Sequence, residues 1–88
     1  MNVSVEISMY PLQDEYLPAI DAFLKRLNET AHEVEIRTSN MSTRLFGEYQ
    51  AVTCLLQSSM EWSMQSQGKV VFVCKYLAGD ARELETYD

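Results

Sequence analysis

Apolar and polar residues alternate along several short stretches of this chain and recur at helical spacing along two longer ones. From Asn2 to Met9 every second residue is apolar, which is typical of a strand with one buried and one polar face. Pro11 cannot donate a backbone hydrogen bond and restricts Tyr10 to an extended conformation, so we predict that the strand ends here. The residues predicted on its polar face are Ser4, Glu6, Ser8 and Tyr10.

A helix is predicted next, because apolar residues recur at helical spacing from Tyr16 to Leu27. Asp14 precedes this run and is predicted to be the N-cap, and the helix is expected to extend to about Glu29. Pro18 falls in or beside the first turn, where a missing N–H does least harm.

The middle of the chain is predicted to form a hairpin. Residues alternate again from His32 to Arg37, and a second strand is predicted from about Met41 to Gly47. The turn between them passes through Ser39 and Asn40.

Helical spacing returns from Ala51 and ends before Gly68, a residue type that commonly follows the end of a helix. The stretch from Lys69 to Leu77 is almost continuously apolar and rich in β-branched residues, which favours a strand. The predicted element order is therefore βαββαβ.

This order predicts an α+β domain of the ferredoxin-like type, a four-stranded antiparallel sheet with both helices on one face. Residues 1–80 are assigned to this single domain and residues 81–88 to a charged C-terminal tail, and the chain from Ala78 onwards is expected to fray. The helices should cover Val3, Val5, Ile7, Val34 and Ile36. The opposite face is expected to lack cover within one chain, and it carries Ser4, Glu6, Ser8, Glu33, Glu35, Arg37, Arg44, Phe46 and either Phe72 or Val73.

Size and charge restrict the partners. The chain has 88 residues and a formal net charge of -6, which disfavours binding to nucleic acid or to anionic membranes. A domain this small is marginally stable alone and gains from oligomerisation. No apolar run approaches the roughly 18 residues of a membrane span, and no basic stretch opens the chain, so we expect a cytoplasmic protein without a signal peptide or an anchor.

No catalytic, metal or cofactor motif is recognised. Cys54 and Cys74 do not form a CxxC pair and are predicted to be buried, reduced thiols, with a disulfide or metal role as the minor alternative. His32 is predicted to be a surface or capping residue. The chain also lacks the phosphate loop of acylphosphatases, the paired cysteines of metallochaperones and the basic aromatic sheet of RNA-recognition domains. We therefore expect no enzymatic activity.

One stretch, from Thr38 to Tyr49, contains more short polar side chains than a core strand needs, which is typical of a ligand site. The segments Ile7-Ser8-Met9-Tyr10-Pro11-Leu12 and Met41-Ser42-Thr43-Arg44-Leu45-Phe46-Gly47-Glu48-Tyr49 resemble the YkoF family of thiamine and hydroxymethylpyrimidine-binding proteins. The resemblance extends over nearly the whole chain in element order.

The resemblance implies a non-enzymatic protein that binds thiamine or hydroxymethylpyrimidine, in support of uptake or salvage. Family members with two tandem domains pair them within one chain, so this single domain is expected to form a homodimer or a dimer of dimers through its open sheet faces. The alternative is an oligomeric structural or regulatory interaction module with no small ligand.

A thiamine pocket needs short hydrogen-bonding side chains, a stacking aromatic ring and a carboxylate. The candidate ligand-binding residues are Glu6, Ser8, Tyr10, Asn40, Ser42, Thr43, Phe46 and Glu48. Most have a structural alternative: Ser8 as an outward strand residue, Tyr10 as cover for the end of the first helix, Asn40 as a turn residue, Thr43 as a strand former, Phe46 as interface core and Glu48 as a complement to the second helix's N-terminus.

Overall fold

The computed structural model describes residues 1–83, and it confirms the predicted fold. The elements are β1 (Asn2–Pro11), α1 (Tyr16–Thr30), β2 (Val34–Thr38), β3 (Thr43–Glu48), α2 (Tyr49–Ser66) and β4 (Val70–Ala78). All strand pairs are antiparallel, and the strand order in the sheet is β2-β3-β1-β4. Both long crossovers are helical, as two successive βαβ units require.

The core lies between one face of the sheet and the two helices. Alternation along β1 directs Val3, Val5 and Ile7 to this side, where at most 3% of each residue is exposed. The helices contribute Phe23, Leu27, Val52 and Leu56 to the core, and β3 contributes Leu45. The prediction of which β1 face is buried is thus confirmed.

β1 continues to Pro11, beyond its predicted end at Met9. Leu12 donates its N–H to the carbonyl of Lys69, the residue before β4. The backbone N–H and C=O groups of even-numbered β1 residues are therefore directed to β4, and those of odd-numbered residues to β3. Pro11 is odd-numbered, and β3 begins only opposite Ile7. Since no strand lies beside Pro11 on that side, its missing N–H costs no ladder bond.

The prediction that Asp14 caps α1 is wrong, because the helix begins at Tyr16 with Glu15 at the N-cap position. A cap at Asp14 would require an N–H at residue 18 to bond the Asp14 carbonyl, and Pro18 has none. Starting one residue later places Pro18 in the first turn, where no helical bond is lost.

β2 begins at Val34, two residues after its predicted start. His32 and Glu33 belong to the turn before it, and Glu33 has a positive φ of 59°, which a strand residue does not adopt. The prediction that Glu33 lies on the open face of the sheet is therefore wrong. His32 is exposed, which agrees with the predicted surface role.

Two further predictions concern the packing of β4 and α2. Phe72 points to the helices and packs on Phe23, with ring centroids 5.0 Å apart, so Val73 is the residue on the open face. Cys54 is exposed rather than buried, because it lies on the side of α2 away from Val52 and Leu56. Cys74 is half-buried, and both thiols are free.

The open face is partly covered by the chain itself, contrary to prediction. Of the chain predicted to fray, residues 84–88 lie outside the described residues. Residues 79–82, which we call the strap, do not fray but turn back across this face. The Ser4 hydroxyl donates to the Gly79 carbonyl and accepts from the Ala81 N–H, both at 2.8 Å. Ser4 and Phe46 are consequently buried at 7% and 3% exposure.

Among residues 1–83, none of the helices is long and apolar enough to cross a membrane.

Candidate functional site

A cavity of about 120 Å³ opens where the β2–β3 turn meets α1 and the middle of β1. We call it the turn cavity. Its lining combines short polar side chains from the turn with apolar side chains from the helix and strand. The lining residues are Ile7, Ser8, Met9, Ile20, Phe23, Leu24, Thr38, Ser39, Asn40, Met41, Ser42 and Thr43.

The turn cavity brings together four of the predicted site residues, Ser8, Asn40, Ser42 and Thr43. Thr43 is buried and its hydroxyl lies 3.4 Å from that of Thr38 on the neighbouring strand. Asn40 is exposed at the tip of the turn. Hydroxyls and an amide at the mouth, above an apolar floor, can orient a small heterocycle by hydrogen bonds while its ring contacts the floor.

The turn itself is fixed by local hydrogen bonds. The Ser39 N–H donates to the Ser42 carbonyl at 2.9 Å, and the Ser39 hydroxyl donates to the same carbonyl at 3.1 Å. Short polar residues form such side-chain bonds readily in turns, which explains their concentration in this stretch. These bonds fix the turn backbone without using the side-chain amide of Asn40.

A carboxylate lies next to the turn cavity. The Ser42 hydroxyl donates to Glu6 Oε2 at 2.9 Å, so one more predicted site residue is joined to the cavity. Lys75 Nζ lies 3.7 Å from Glu6 Oε1, but the Lys75 side chain is 78% exposed and the pair is therefore weak. Glu6 thus remains available to a cationic group that approaches from the open face.

A second cavity of about 290 Å³ lies on the open face of the sheet. We call it the face cavity, and its lining residues are Ser4, Val5, Glu6, Arg44, Phe46, Lys75, Tyr76, Leu77 and Ala81. The ring of Phe46 is covered by the guanidinium of Arg37 at 5.4 Å and that of Arg82 at 6.0 Å from its centroid. The Phe46 ring, which was predicted to stack on a ligand, is therefore covered by cationic side chains of the same chain.

The strap carries an ion-pair network that holds it on the sheet. Arg82 pairs with Asp80 beside it and with Glu35 of β2, at 3.2 Å for the latter. Hydrogen bonds from Arg82 lower the pKa of Asp80 to about 2, and those from Arg37 and Arg82 lower the pKa of Glu35. The same carboxylates raise the pKa of Arg82. Asp80, Glu35 and Arg82 therefore stay charged at neutral pH.

Two predicted site residues lie apart from both cavities. Tyr10 lies near the end of β1 and is 54% exposed. Glu48 caps α2, because its carboxylate accepts from the N–H groups of Gln50 and Ala51. Glu48 pairs in register with Asn2, whereas Thr43 pairs with Ile7. Glu48 therefore lies five residues, or about 17 Å of strand, from Thr43 at the turn cavity.

Sequence reasoning missed two kinds of lining residue. Phe23 and Ile20 lie on the turn cavity, but their helical spacing assigned them only to the core. Ala81 lines the face cavity, and Arg82 covers Phe46, although nothing in the local sequence indicates that the chain turns back after β4. Thr38 could have been found, since it opens the polar stretch that drew attention to the turn.

The turn cavity has a restricted chemistry. No acidic or basic residue is among its lining residues, so it suits a neutral polar group better than an ion. Within residues 1–83, no group of three or more potential metal ligands is close enough together to hold a metal ion. The arrangement can bind and orient a small polar group.

Comparison with protein-family models finds no match, and comparison with curated proteins finds none either. Solved structures do match. A protein from Streptococcus pneumoniae aligns with a TM-score of 0.82 at 22% identity, over 96% of this chain and 93% of that chain. A domain of unknown function from Bacillus cereus gives a TM-score of 0.72 at 16% identity, over 92% of this chain and 79% of that one.

A third match is a Thermotoga maritima protein whose provisional assignment is to thiamine biosynthesis or salvage. It aligns with a TM-score of 0.75 at 14% identity, over 86% of this chain and 82% of that chain. At such low identities the three likenesses establish the fold alone.

Proposed function

We propose that this protein binds thiamine or its hydroxymethylpyrimidine half in the turn cavity, without transforming it. The observation that carries the proposal is the convergence of Ser8, Asn40, Ser42 and Thr43 on one cavity with an apolar floor. An aminopyrimidine presents ring nitrogens that accept hydrogen bonds and an amino group that donates them. Hydroxyl and amide side chains can serve both kinds of group.

The size of the cavity favours the pyrimidine half. Pockets for drug-sized ligands measure about 300–1,000 Å³, and the turn cavity measures about 120 Å³. One heterocyclic ring is therefore the expected occupant, with the Phe23 side chain at its floor. In thiamine, the second ring would remain outside the cavity.

The position of Glu6 suits the thiazolium of thiamine. Its carboxylate is bonded to Ser42 at the cavity and is only weakly paired with Lys75. A thiazolium cation that leaves the cavity on this side would approach a carboxylate of opposite charge. The expected gain is modest, since the group is partly solvated.

The likeness to a protein provisionally assigned to thiamine biosynthesis or salvage is consistent with this proposal, and it agrees with the YkoF resemblance. We further propose that the chain works as a homodimer or a dimer of dimers in the cytoplasm, as a binding protein and not as an enzyme. A test for turnover of either compound should detect no product.

Isothermal titration with hydroxymethylpyrimidine and with thiamine tests the proposal. We expect saturable binding of about one ligand per chain. Thr43→Val removes a lining hydroxyl and should weaken binding roughly 5- to 10-fold, the effect of one hydrogen bond. Thr30→Val is the matched control, because the Thr30 hydroxyl bonds the Arg26 carbonyl within α1 and lies outside the turn cavity.

A second variant distinguishes the two cavities. Phe46→Leu alters the face cavity and leaves the lining of the turn cavity intact. Loss of binding in Phe46→Leu with full binding in Thr43→Val would move the site to the face cavity. Absence of binding to both compounds, measured by titration and by thermal shift, would refute the proposed function.

The second candidate is an interaction module without a small ligand, and the open face favours it. Four large apolar side chains there are between 44% and 54% exposed, namely Tyr10, Val71, Val73 and Leu77. Exposed apolar groups gathered on one face mark interaction surfaces. An oligomer whose mass and melting temperature do not respond to either pyrimidine compound would support this alternative.

A further inference from the structure

The two edges of the sheet are protected very differently. β2, at one edge, has five residues and carries Glu35 and Arg37. β4, at the other edge, has nine residues, and Lys75 is its only charged side chain. Short length and charge prevent an edge from pairing with another strand, whereas a long apolar edge invites pairing. β4 lacks the protection that β2 has.

The backbone of β4 presents its unused bonding groups in a regular row. Lys69 accepts from Leu12 at 3.0 Å and Gly79 donates to Asn2 at 2.9 Å, so odd-numbered residues of β4 bond to β1. The even-numbered residues therefore direct their N–H and C=O groups to the free edge. They are Val70, Phe72, Cys74, Tyr76 and Ala78.

The strap leaves this edge open. After Ala78 the chain crosses the open face towards Ser4 on β1, and Arg82 reaches Glu35 on β2. It thus runs away from the outer side of β4. Within residues 1–83, β4 has β1 as its single strand neighbour.

We propose that β4 pairs antiparallel with β4 of a second copy of this chain, across a two-fold axis at Cys74, to form one eight-stranded sheet. The midpoint of Val70–Ala78 is residue 74, so this register pairs all nine residues of each strand. It also matches the even-numbered residues of one chain with those of the other, which the free N–H and C=O groups require.

The side chains favour this register over its neighbours. It places Phe72 opposite the partner's Tyr76 and Val73 opposite the partner's Lys75. Aromatic pairs stabilise an antiparallel ladder, and like charges directly opposite destabilise it. A two-fold axis at Lys75 would oppose two lysines, and one at Val73 would leave the end of β4 unpaired. A second copy is thus complementary in length, bonding pattern and charge.

Cysteine cross-linking tests the position of the axis. In the proposed register, Cys74 lies directly opposite the partner's Cys74, with Cα atoms about 5.5 Å apart, within the range of a disulfide. Partial burial raises the pKa of the Cys74 thiol, so oxidation is carried out at alkaline pH with copper phenanthroline. Cys54→Ser retains only Cys74 and should yield a covalent dimer at micromolar protein concentration. Cys74→Ser retains only the exposed Cys54 and should not.

A charge pair at Val73 tests the register independently. Val73→Lys places an ammonium group opposite the partner's Lys75 twice per dimer, and Val73→Glu places a carboxylate there. We expect the dissociation constant of the dimer, measured by analytical ultracentrifugation, to be about tenfold higher for Val73→Lys than for Val73→Glu. Circular dichroism checks that both variants are folded.

Three results would overturn the proposal: a monomer at all concentrations, a Cys54→Ser protein that does not cross-link, or equal dissociation of the two Val73 variants. The last result would indicate a contact through the open face, where an ion of either sign is unfavourable. Ligand binding by the monomer would not affect this conclusion, because the edge of β4 lies outside the turn cavity.

Discussion

Ser4 is the residue through which the sheet holds the strap, and its replacement gives a measurable prediction. The hydroxyl donates to the Gly79 carbonyl and accepts from the Ala81 N–H, both at 2.8 Å, at a residue that is 7% exposed. Ser4→Ala removes both bonds and leaves two backbone groups without their partner. At about 0.5–1.5 kcal/mol for each bond, the strap should lose roughly 1–3 kcal/mol of stability.

Amide hydrogen exchange measures this loss where it occurs. If the strap opens locally, exchange at the Ala81 N–H should accelerate roughly 5- to 150-fold in Ser4→Ala, which is the same 1–3 kcal/mol. If opening is coupled to global unfolding, the melting temperature should also fall by about 4–8 °C for each kcal/mol. The two readouts separate a local strap from an integral part of the domain.

Ser8→Ala is the matched control. Ser8 lies on the same face of β1 but pairs in register with Val73, away from the strap. Its replacement should leave exchange at Ala81 unchanged. Equal exchange rates at Ala81 in the wild type and in Ser4→Ala would refute the argument, since they would mean that the Ser4 bonds do not hold the strap.

Three other predictions follow from single features of the fold. Leu56→Ala should lower the free energy of unfolding by about 2–5 kcal/mol in urea denaturation, because Leu56 is fully buried, whereas Leu56→Met should cost less than about 1.5 kcal/mol. Glu48→Ala should lower it by about 0.5–2 kcal/mol through loss of the α2 cap, and Glu48→Gln, which keeps a carbonyl acceptor, should lower it less. The pKa of Asp80 is about 2 in the folded protein against an ordinary 3.8, so its stabilising pairing with Arg82 is complete above the ordinary value and is lost as the pH falls from about 4 through 2. The protection factor of the Arg82 N–H, which is the intrinsic exchange rate at each pH divided by the measured rate, should fall in that window, and Asp80→Asn should reduce this fall.

Periodicity predicted most of the fold, because it reflects burial directly. Val3, Val5 and Ile7 alternate and are buried together, and the predicted helices and strands all exist in the predicted order. The errors lie at element ends. Pro11 stays in β1 because the neighbouring strand does not reach it, a fact about β3 that the local sequence does not contain.

The candidate site was only partly predictable, for a related reason. The polar stretch around Asn40 correctly indicated the turn, and Ser8, Ser42 and Thr43 join it at one cavity because β1 and β3 are neighbours. Tyr10 and Glu48 were grouped with them by sequence proximity and residue type alone. Glu48 instead caps α2, a role that depends on where that helix begins.

The sequence by itself determined the element order, the buried face of β1 and the acidic charge, since these depend on residue type and spacing along a single element. The tertiary structure decided which residues meet across elements. It placed the strap over Ser4 and Phe46, paired Arg82 with Glu35, and left the outer edge of β4 without a strand neighbour among residues 1–83. These contacts join residues that are far apart in the chain, and side-chain periodicity carries no information about such distances.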